Sequence, residues 1–582
     1  NVKYWNAEWY VQDNWKVNRR LTLDLGLRFY HQTPQIDLNK TFVNFSPSLY
    51  NKASIARIYV PACSNGAAAC SGATLVARDP ATGATVGNGF IGDYVPNSGN
   101  PASGLQVLGM NGVPAEPYSQ KWVALGPRIG FAYDVMGDGK TAIRGGWGIF
   151  YNRLDGNQVY GMSGQAPSVY QQTVSNSTFD QIASQNTGAA PSFTSLSVAP
   201  LAPNSWTTGA VPFDAVQNAS IDLQRNVGKS MVVDIGYTLN YSYNQKLTYN
   251  INYIPLGAGW PYNSAALDPT TAGNTSNTIA QWQGGILQRT IYPGYNAINS
   301  AYFLGHNNYN GLTVSVNKRI SHGLQWGAVY TLSKGMGATA YTPVVANNDA
   351  WNYGRLSSDR RHNFQLNYNY DLPNLGKSTG MKFIGVVTDH WSLSGIASFQ
   401  SGAPYNPTCA LTSGSASITG GFSGTPDLAA TNATSAIRCN VVGDPTTGMG
   451  TNGNGQVYYN PSAFAMPALP SGPNNSIAGP PALGNLGGGA GVLSYPHVTN
   501  FDLTLTKNIP LGSEKRLLKL QAQAYNVFNH TEIGTSSTSI TPLGGGIQFS
   551  PTTNQVTNPQ LLGYITSAIN SRVLAFSARL QF

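Results

Sequence analysis

Chemistry-bearing residues are sparse in this 582-residue chain, and those present do not assemble into a reaction centre. The seven histidines, at positions 31, 306, 322, 362, 390, 497 and 530, form no HExxH pair that could hold zinc from one helix face. No GxSxG nucleophile elbow occurs. The segment GMGTNG, residues 448–453, has the glycine spacing of a dinucleotide-binding turn. No strand leads into it and no helix follows, so its amides cannot cradle a pyrophosphate. DVMGDGKT, residues 134–141, ends like a phosphate-binding loop, but Asp134 stands where the first glycine belongs, and a hairpin turn fits better. We therefore assign no catalytic, cofactor-binding or metal-ligating residue from sequence, and expect no enzymatic activity.

Four cysteines remain. Cys63 and Cys70 are close in sequence, as are Cys409 and Cys439, and all lie in Gly/Ser/Ala-rich segments. Loop-stapling disulfides within each couple suit an oxidising compartment, although spacing alone leaves three connectivities open. Zinc ligation finds no support, because no CxxC is present. The 33 Lys and Arg outnumber the 24 Asp and Glu, giving a net charge of +9, yet they are scattered singly. That is a solvated basic surface, not a nucleic-acid footprint, and no nucleic-acid partner is expected.

The elements that carry these residues are strands. Only 10% of the chain is charged, against 65 glycines and 32 tyrosines. No apolar run approaches the roughly 18 to 20 residues of a spanning helix. Instead, apolar and polar residues alternate. In LTLDLGLRFYH, Leu21, Leu23, Leu25, Leu27 and Phe29 fall on one face and Thr22, Asp24, Gly26, Arg28 and Tyr30 on the other. The final stretch, RVLAFSARLQF, places Leu574, Phe576, Ala578, Leu580 and Phe582 on one face against Ser577, Arg579 and Gln581. One side suits lipid and the other water, the pattern of a transmembrane strand ending an outer-membrane barrel.

The same alternation predicts six hairpins before that strand: EWYVQDNWKV with LTLDLGLRFYH, WVALGPRIGFAYDV with TAIRGGWGIFYN, VQNASIDLQRN with MVVDIGYTLNYS, YNGLTVSVNKRI with LQWGAVYTLSK, RRHNFQLNYNYDL with HWSLSGIASFQS, and VTNFDLTLTKNI with LLKLQAQAYNVFN. Turns within hairpins are mostly short, at 17–20, 136–140, 228–230, 321–323 and 510–516. Connections between hairpins are long, at about 33–121, 153–211, 246–307, 336–358, 402–497 and 530–571. Short turns should face the periplasm and long loops the exterior. The expected fold is therefore an all-β transmembrane antiparallel β-barrel, integral in the bacterial outer membrane. Thirteen strands would leave two bare edges in hydrocarbon, so further strands are expected upstream of Asn1, nine of them if the barrel has 22. The absence of an initiator Met and of a signal sequence fits a processed or truncated piece.

Two sets of side chains follow from this geometry. Trp9, Trp15, Trp122, Trp147, Trp326 and Trp391 lie in or beside predicted strands, as an aromatic girdle at the headgroup boundary would require. The competing reading, the core of a soluble β-sandwich, leaves the polar strand faces without a partner sheet. The polar faces hold Asp24, Arg28, Arg128, Asp134, Arg144, Asp222, Asp234, Asp502, Lys519, Gln521, Gln523 and Arg579. These are candidates to line a lumen, or simply hydrated interior residues bonding across strands.

WYVQDNWKVNRRLTLDLGLRF, RGGWGIFYNR, DRRHNFQLNYNYDLP, NFDLTLTKNIPL, QAQAYNVFNHT and LAFSARLQF together resemble the barrel of TonB-dependent outer-membrane transporters, specifically the Oar-like group. The resemblance covers essentially the whole chain. It implies that residues 1–582 are the C-terminal part of a 22-stranded barrel, whose plug and carboxypeptidase-regulatory-like domain lie upstream of residue 1. It implies active uptake of a large or scarce solute of the siderophore, oligosaccharide or peptide class, driven by the TonB complex acting on the plug. The expected partners are outer-membrane lipid, the TonB complex, the transported ligand and, through the C-terminal strand with Phe576 and Phe582, the barrel-assembly machinery. The rival functions are a passive porin-type channel and a secreted all-β adhesin or enzyme.

Overall fold

The computed structural model describes residues 1–65, 74–169, 199–206, 209–253, 291–339, 349–380, 382–407, 409–411, 438–448, 450–452, 455–465, 467, 484–486, 488–489, 491–512, 516–533, 540–541, 547–549, 555–559, 562–565 and 568–582. Thirteen antiparallel strands follow one another across a single sheet in sequence order. They are β1 (Asn6–Lys16), β2 (Leu21–Gln32), β3 (Ala124–Asp134), β4 (Thr141–Asn152), β5 (Asp214–Val227), β6 (Met231–Asn250), β7 (Asn299–Ser321), β8 (Leu324–Ala338), β9 (His362–Asp371), β10 (Trp391–Gln400), β11 (Val498–Pro510), β12 (Leu517–Tyr525) and β13 (Val573–Gln581). Each of the six hairpins read from the sequence lies on this path. β1 and β13 end it without pairing to one another, so the described sheet is open.

Register carries the alternation of single strands across the whole sheet. One lateral row runs Asn14, Asp24, Gly130, Gly146, Ser220, Thr238, Gly311 and Ser333, all small or polar. The row beside it runs Trp15, Leu23, Phe131, Gly145, Ile221, Tyr237, Leu312 and Leu332, almost wholly apolar. A one-residue slip anywhere would exchange the two faces, so the two-sided chemistry itself specifies the pairing. Where the apolar face lacks a side chain, a ring covers the gap: Phe131 lies over Gly145, and Tyr368 over Gly395. A Cβ at either glycine would collide with that ring.

Short turns join β1 to β2, β3 to β4, β5 to β6, β7 to β8 and β11 to β12. The β7–β8 turn is the tightest, two residues long, and both have positive φ, His322 at 53° and Gly323 at 77°. That is the backbone a two-residue hairpin with the right strand twist demands.

Two features depart from the sequence reading. First, β6 and β7 run well into the expected 246–307 loop, reaching Asn250 and beginning at Asn299. A bulge between Ser242 and Leu247, with Asn244 at φ 58°, shifts the register, after which pairing resumes at Leu247 with Tyr302. The bulge breaks the period-two pattern, which is why the sequence alone ends the strand early. Second, the β9–β10 connection contains two short helices, Leu375–Thr379 and Lys382–Thr388.

The buried core lies mostly outside the wall, in assemblies built from the long connections. One holds Phe42, Leu108, Tyr118, Leu154, Val159, Met162, Trp206 and Val211. A second packs Phe45, Ile251, Tyr295 and Ile298. A third gathers Tyr405, Cys439, Tyr459, Phe464, Leu493, Ile547 and Phe549, all from connections after β10.

Candidate functional site

Every polar candidate read from the sequence lies on the same face of the sheet, but their roles divide. Arg28 pairs with Glu8 on β1, its Nε donating at 2.8 Å, and its guanidinium lies 5.3 Å from the Tyr30 ring centroid. Arg128 donates to the Tyr30 hydroxyl at 3.1 Å and stacks 4.6 Å from the Phe150 ring centroid. Asn14 donates to Asp24, and Arg144 stands directly across from Asp222. Asp234, one strand on, faces Gln224. This is a laterally bonded ladder of charges, amides and hydroxyls, as a hydrated wall needs.

Two candidates serve the backbone instead. Asp134 accepts from the Gly137 and Gly139 amides, both at 2.9 Å, and so holds the β3–β4 turn. Asp502 accepts from the Asn526 amide at 3.0 Å, fixing the corner where the chain leaves β12. Gln521 bonds the Thr506 hydroxyl at 3.2 Å, and Gln523 lies opposite Thr504. Lys519 and Arg579 sit directly opposite one another, two like charges at the short-turn end of the polar face. Such a pair disfavours the bare sheet and suits a rim where water or an anionic group can screen it.

The tryptophans occupy more than one level. Trp15, Trp326 and Trp391 lie on the apolar face within three residues of the short-turn end of their strands. Trp9 and Trp147 are on the same face at mid-strand, and Trp9 stacks on Phe29 with centroids 5.7 Å apart. Trp122 precedes β3 at the opposite end, where its carbonyl is 2.7 Å from the His31 ring nitrogen. Phe576 is on the apolar face, largely exposed, and Phe582 follows the end of β13.

At the long-loop end the connections lock into one another. Asn44 clamps the Trp206 backbone twice, donating to its carbonyl at 2.9 Å and accepting from its amide at 2.6 Å. Asn252 donates to the carbonyls of Tyr295 and Asn296, both at 2.9 Å, and accepts from the Tyr292 amide at 2.7 Å. The Tyr50, Tyr94 and Tyr295 hydroxyls each donate across loops, to Pro293, Gly294 and Ser103 carbonyls. Burial pushes the Tyr50 hydroxyl up to about 12 and raises that of Tyr94 further, so both stay protonated donors. Arg57 makes a two-pronged pair with Asp79, at 2.9 and 2.8 Å, holding that carboxyl well below the usual range. Burial alone lifts Asp93 nearby to about 6.

Within this cap a cavity of about 610 Å³ opens between Asn44, Ser205, Trp206, Val211, Tyr302 and Phe303. The Lys246 ammonium lies 5.1 Å from the Trp206 ring centroid beside it. Aromatic walls with a few amide and hydroxyl groups suit a small or extended organic solute. None of these residues stood out in the sequence, because loop contacts have no period. The one available signal was the abundance of Tyr and Asn in the long connections.

Cys409 and Cys439 are joined, with Cα atoms 5.7 Å apart, inside the third loop core. Cys63 is disulfide-bonded, and Cys70 lies outside the described residues. Beside the first of these bonds, Arg438 stacks 3.4 Å from the Trp351 ring centroid, and burial pushes its guanidinium down to about 10. GMGTNG lies partly outside the described residues; of its described residues, Gly448 is in a turn and Gly450–Asn452 is a strand paired to Gly455–Val457. Among the described residues no cluster of His, Cys, Asp and Glu could hold a metal ion.

Comparison with known proteins gives a family match over residues 1–575, to the Outer membrane beta barrel domain. No curated protein sequence matches. Among solved structures, the chain is similar to the ferric citrate transporter FecA in its unliganded form, at 10% identity and a TM-score of 0.37, covering 99% of this chain and 44% of that one. It is similar to the copper transporter OprC at 10% identity and 0.36, covering 100% and 50%. The outer membrane transporter YddB from Escherichia coli gives 8% identity and 0.38, with 100% and 54% covered. The chain thus spans about half the length of these structures.

Proposed function

This chain belongs to the outer membrane beta barrel domain family and is integral to the outer membrane, and from that premise we propose that it is the C-terminal part of the wall and external cap of an Oar-like TonB-dependent transporter. The wall presents its apolar face to lipid and its polar ladder to an aqueous lumen. Short turns face the periplasm, and the interlocked long connections form an external vestibule. A large or scarce solute of the siderophore, oligosaccharide or peptide class is captured there by aromatic stacking and amide hydrogen bonds. It enters when TonB pulls on a plug carried by the upstream part of the protein. No step in this process makes or breaks a covalent bond of the solute.

The observation that carries the reading is that the apolar face of the thirteen paired strands is left exposed, as at Ile221, Leu223, Ile235 and Leu312, where a water-soluble sandwich would bury that face against a second sheet. Liposome swelling with the full-length protein and a neutral tetrasaccharide probe tests it against a passive channel. Vesicles should stay osmotically tight, because a plug closes the lumen. Rapid swelling that declines smoothly with probe size would establish an open pore and overturn the transporter assignment.

A further inference from the structure

The β9–β10 connection is at the same end of the sheet as the short turns, yet it is 19 residues long and helical. Its two helices touch through glycine: a Cβ on Gly376 would lie 2.1 Å from the Gly385 Cα, so only hydrogen permits that approach. Asp389 closes the unit by accepting from the Gly376 amide at 2.7 Å, and Asn374 accepts from the His390 amide at 2.8 Å.

The way this unit is fastened to the sheet reveals which side it occupies. The Val387 carbonyl, at the end of the second helix, receives the Trp391 indole N–H at 2.6 Å and the Lys507 ammonium at 3.1 Å. Lys507 also donates to the Asp389 carbonyl. Trp391 and Lys507 are register partners on the apolar face, in line with Leu393, Leu503 and Leu505. Lys507 is only 5% exposed, and its ammonium lies 5.4 Å from the Trp391 ring centroid. The helix end therefore docks on the membrane side of the rim, not on the lumen side. Its own apolar residues are left bare: Phe383 is 86% exposed, Val386 68% and Val387 62%. The 19-residue connection has two lysines, Lys377 and Lys382, and one acidic residue, Asp389, whose carboxylate is engaged by the Gly376 amide.

We propose that this helix pair is a membrane-interface anchor, with Phe383, Val386 and Val387 immersed in the phospholipid leaflet at the short-turn rim. The occupant follows from continuity, since the bare residues extend a face that lipid already covers. The two lysines of the helices suit anionic headgroups. A helix lying in the interface plane with its apolar side down fixes the depth of the rim and shields the β10–β11 strand ends. The inference rests on the membrane assignment of the apolar face, and its test separates the two.

Phe383→Cys and Val387→Cys are labelled with an environment-sensitive fluorophore in the full-length protein, reconstituted in phosphatidylethanolamine and phosphatidylglycerol vesicles. Phe576→Cys on the wall serves as the lipid reference and Leu49→Cys in a long loop as the aqueous one. Spin-labelled lipid, with the quencher near the headgroup, should cut fluorescence at 383 and 387 by roughly half while aqueous iodide does little. Iodide quenching at 383 and 387, with lipid quenching retained at 576, would overturn the anchor and leave the barrel intact. Loss of lipid quenching at 576 as well would overturn both. Self-quenching at 383 that rises with protein density would show that a second copy covers the helices, and would also overturn it.

Discussion

Ile221 in the wall and Phe45 in the cap are both large and apolar, yet Ile221 is 51% exposed and Phe45 fully buried. Ile221 sits among paired strands whose backbone groups are satisfied laterally, so its side chain is free to face an apolar solvent. Phe45 lies in a loop exposed to water, where the chain has to build its own interior from Tyr292, Tyr295 and Ile298. The protein is thus two materials joined at a rim. The wall depends on lipid for its apolar cover, and the cap depends on aromatic packing and cross-loop hydrogen bonds.

Hollowing out the cap should have the largest effect. Phe45→Ala should cost about 3 to 5 kcal/mol of local cap stability, the range for deleting a buried ring. Hydrogen exchange should accelerate in residues 42–50 and 292–298 while the wall strands keep their protection. If wall and cap lose protection together, they are one cooperative unit and the division is wrong.

The wall is challenged by charge. Ile221→Lys should destabilise folding into vesicles by about 2 to 4 kcal/mol, whereas Ser220→Lys, one residue away on the polar face, should cost under about 1. Urea titration of the heat-modifiable folded band measures both. Equal costs would mean that lipid does not distinguish the two faces.

Acidity tests the cap more weakly. The Arg57 guanidinium holds the Asp79 carboxyl low, so that pair's contribution is present above the ordinary carboxylate pKa of about 4 and is lost as pH falls. Burial raises Asp93 to about 6, so its contribution is complete below about pH 4 and is lost as pH rises through 6. Protection of residues 56–95 should therefore peak near pH 4, fall as pH rises from about 4 to 6, and level off above that. Asp79→Asn should flatten the acid limb and Asp93→Asn the alkaline limb. A profile unchanged by either variant would remove both carboxyls from the account.

The wall was legible in the sequence because its cause is local and periodic. Leu21 to Phe29 alternate without a break, and β2 forms as read. Legibility ended where periodicity did. The bulge at Ser242–Leu247 hid the upper part of β6, and the glycine-mediated helix crossing at Gly376 and Gly385 has no strand period to betray it. Motif residues were visible, but their work was not. Asp359 in DRRHNF accepts from Arg355 and from the Gly335 amide, and Asn526 in QAYNVFNHT donates to the carbonyls of His530 and Asn570. Both brace corners where chain leaves or enters the wall. The cavity beside Trp206 could not be read at all, because it depends on segments more than a hundred residues apart meeting in space.

The bulged ribbon of β6 and β7 has a mechanical consequence. At roughly 3.3 Å per residue, the 23 residues of β7 reach about 76 Å, against about 33 Å for the 10 of β10. The palisade is therefore lopsided, with one tall stiff mast rising far above its low side. Tyr302 lies on β7 and Lys246 on β6, so two residues at the vestibule cavity stand on paired strand backbone continuous with the wall.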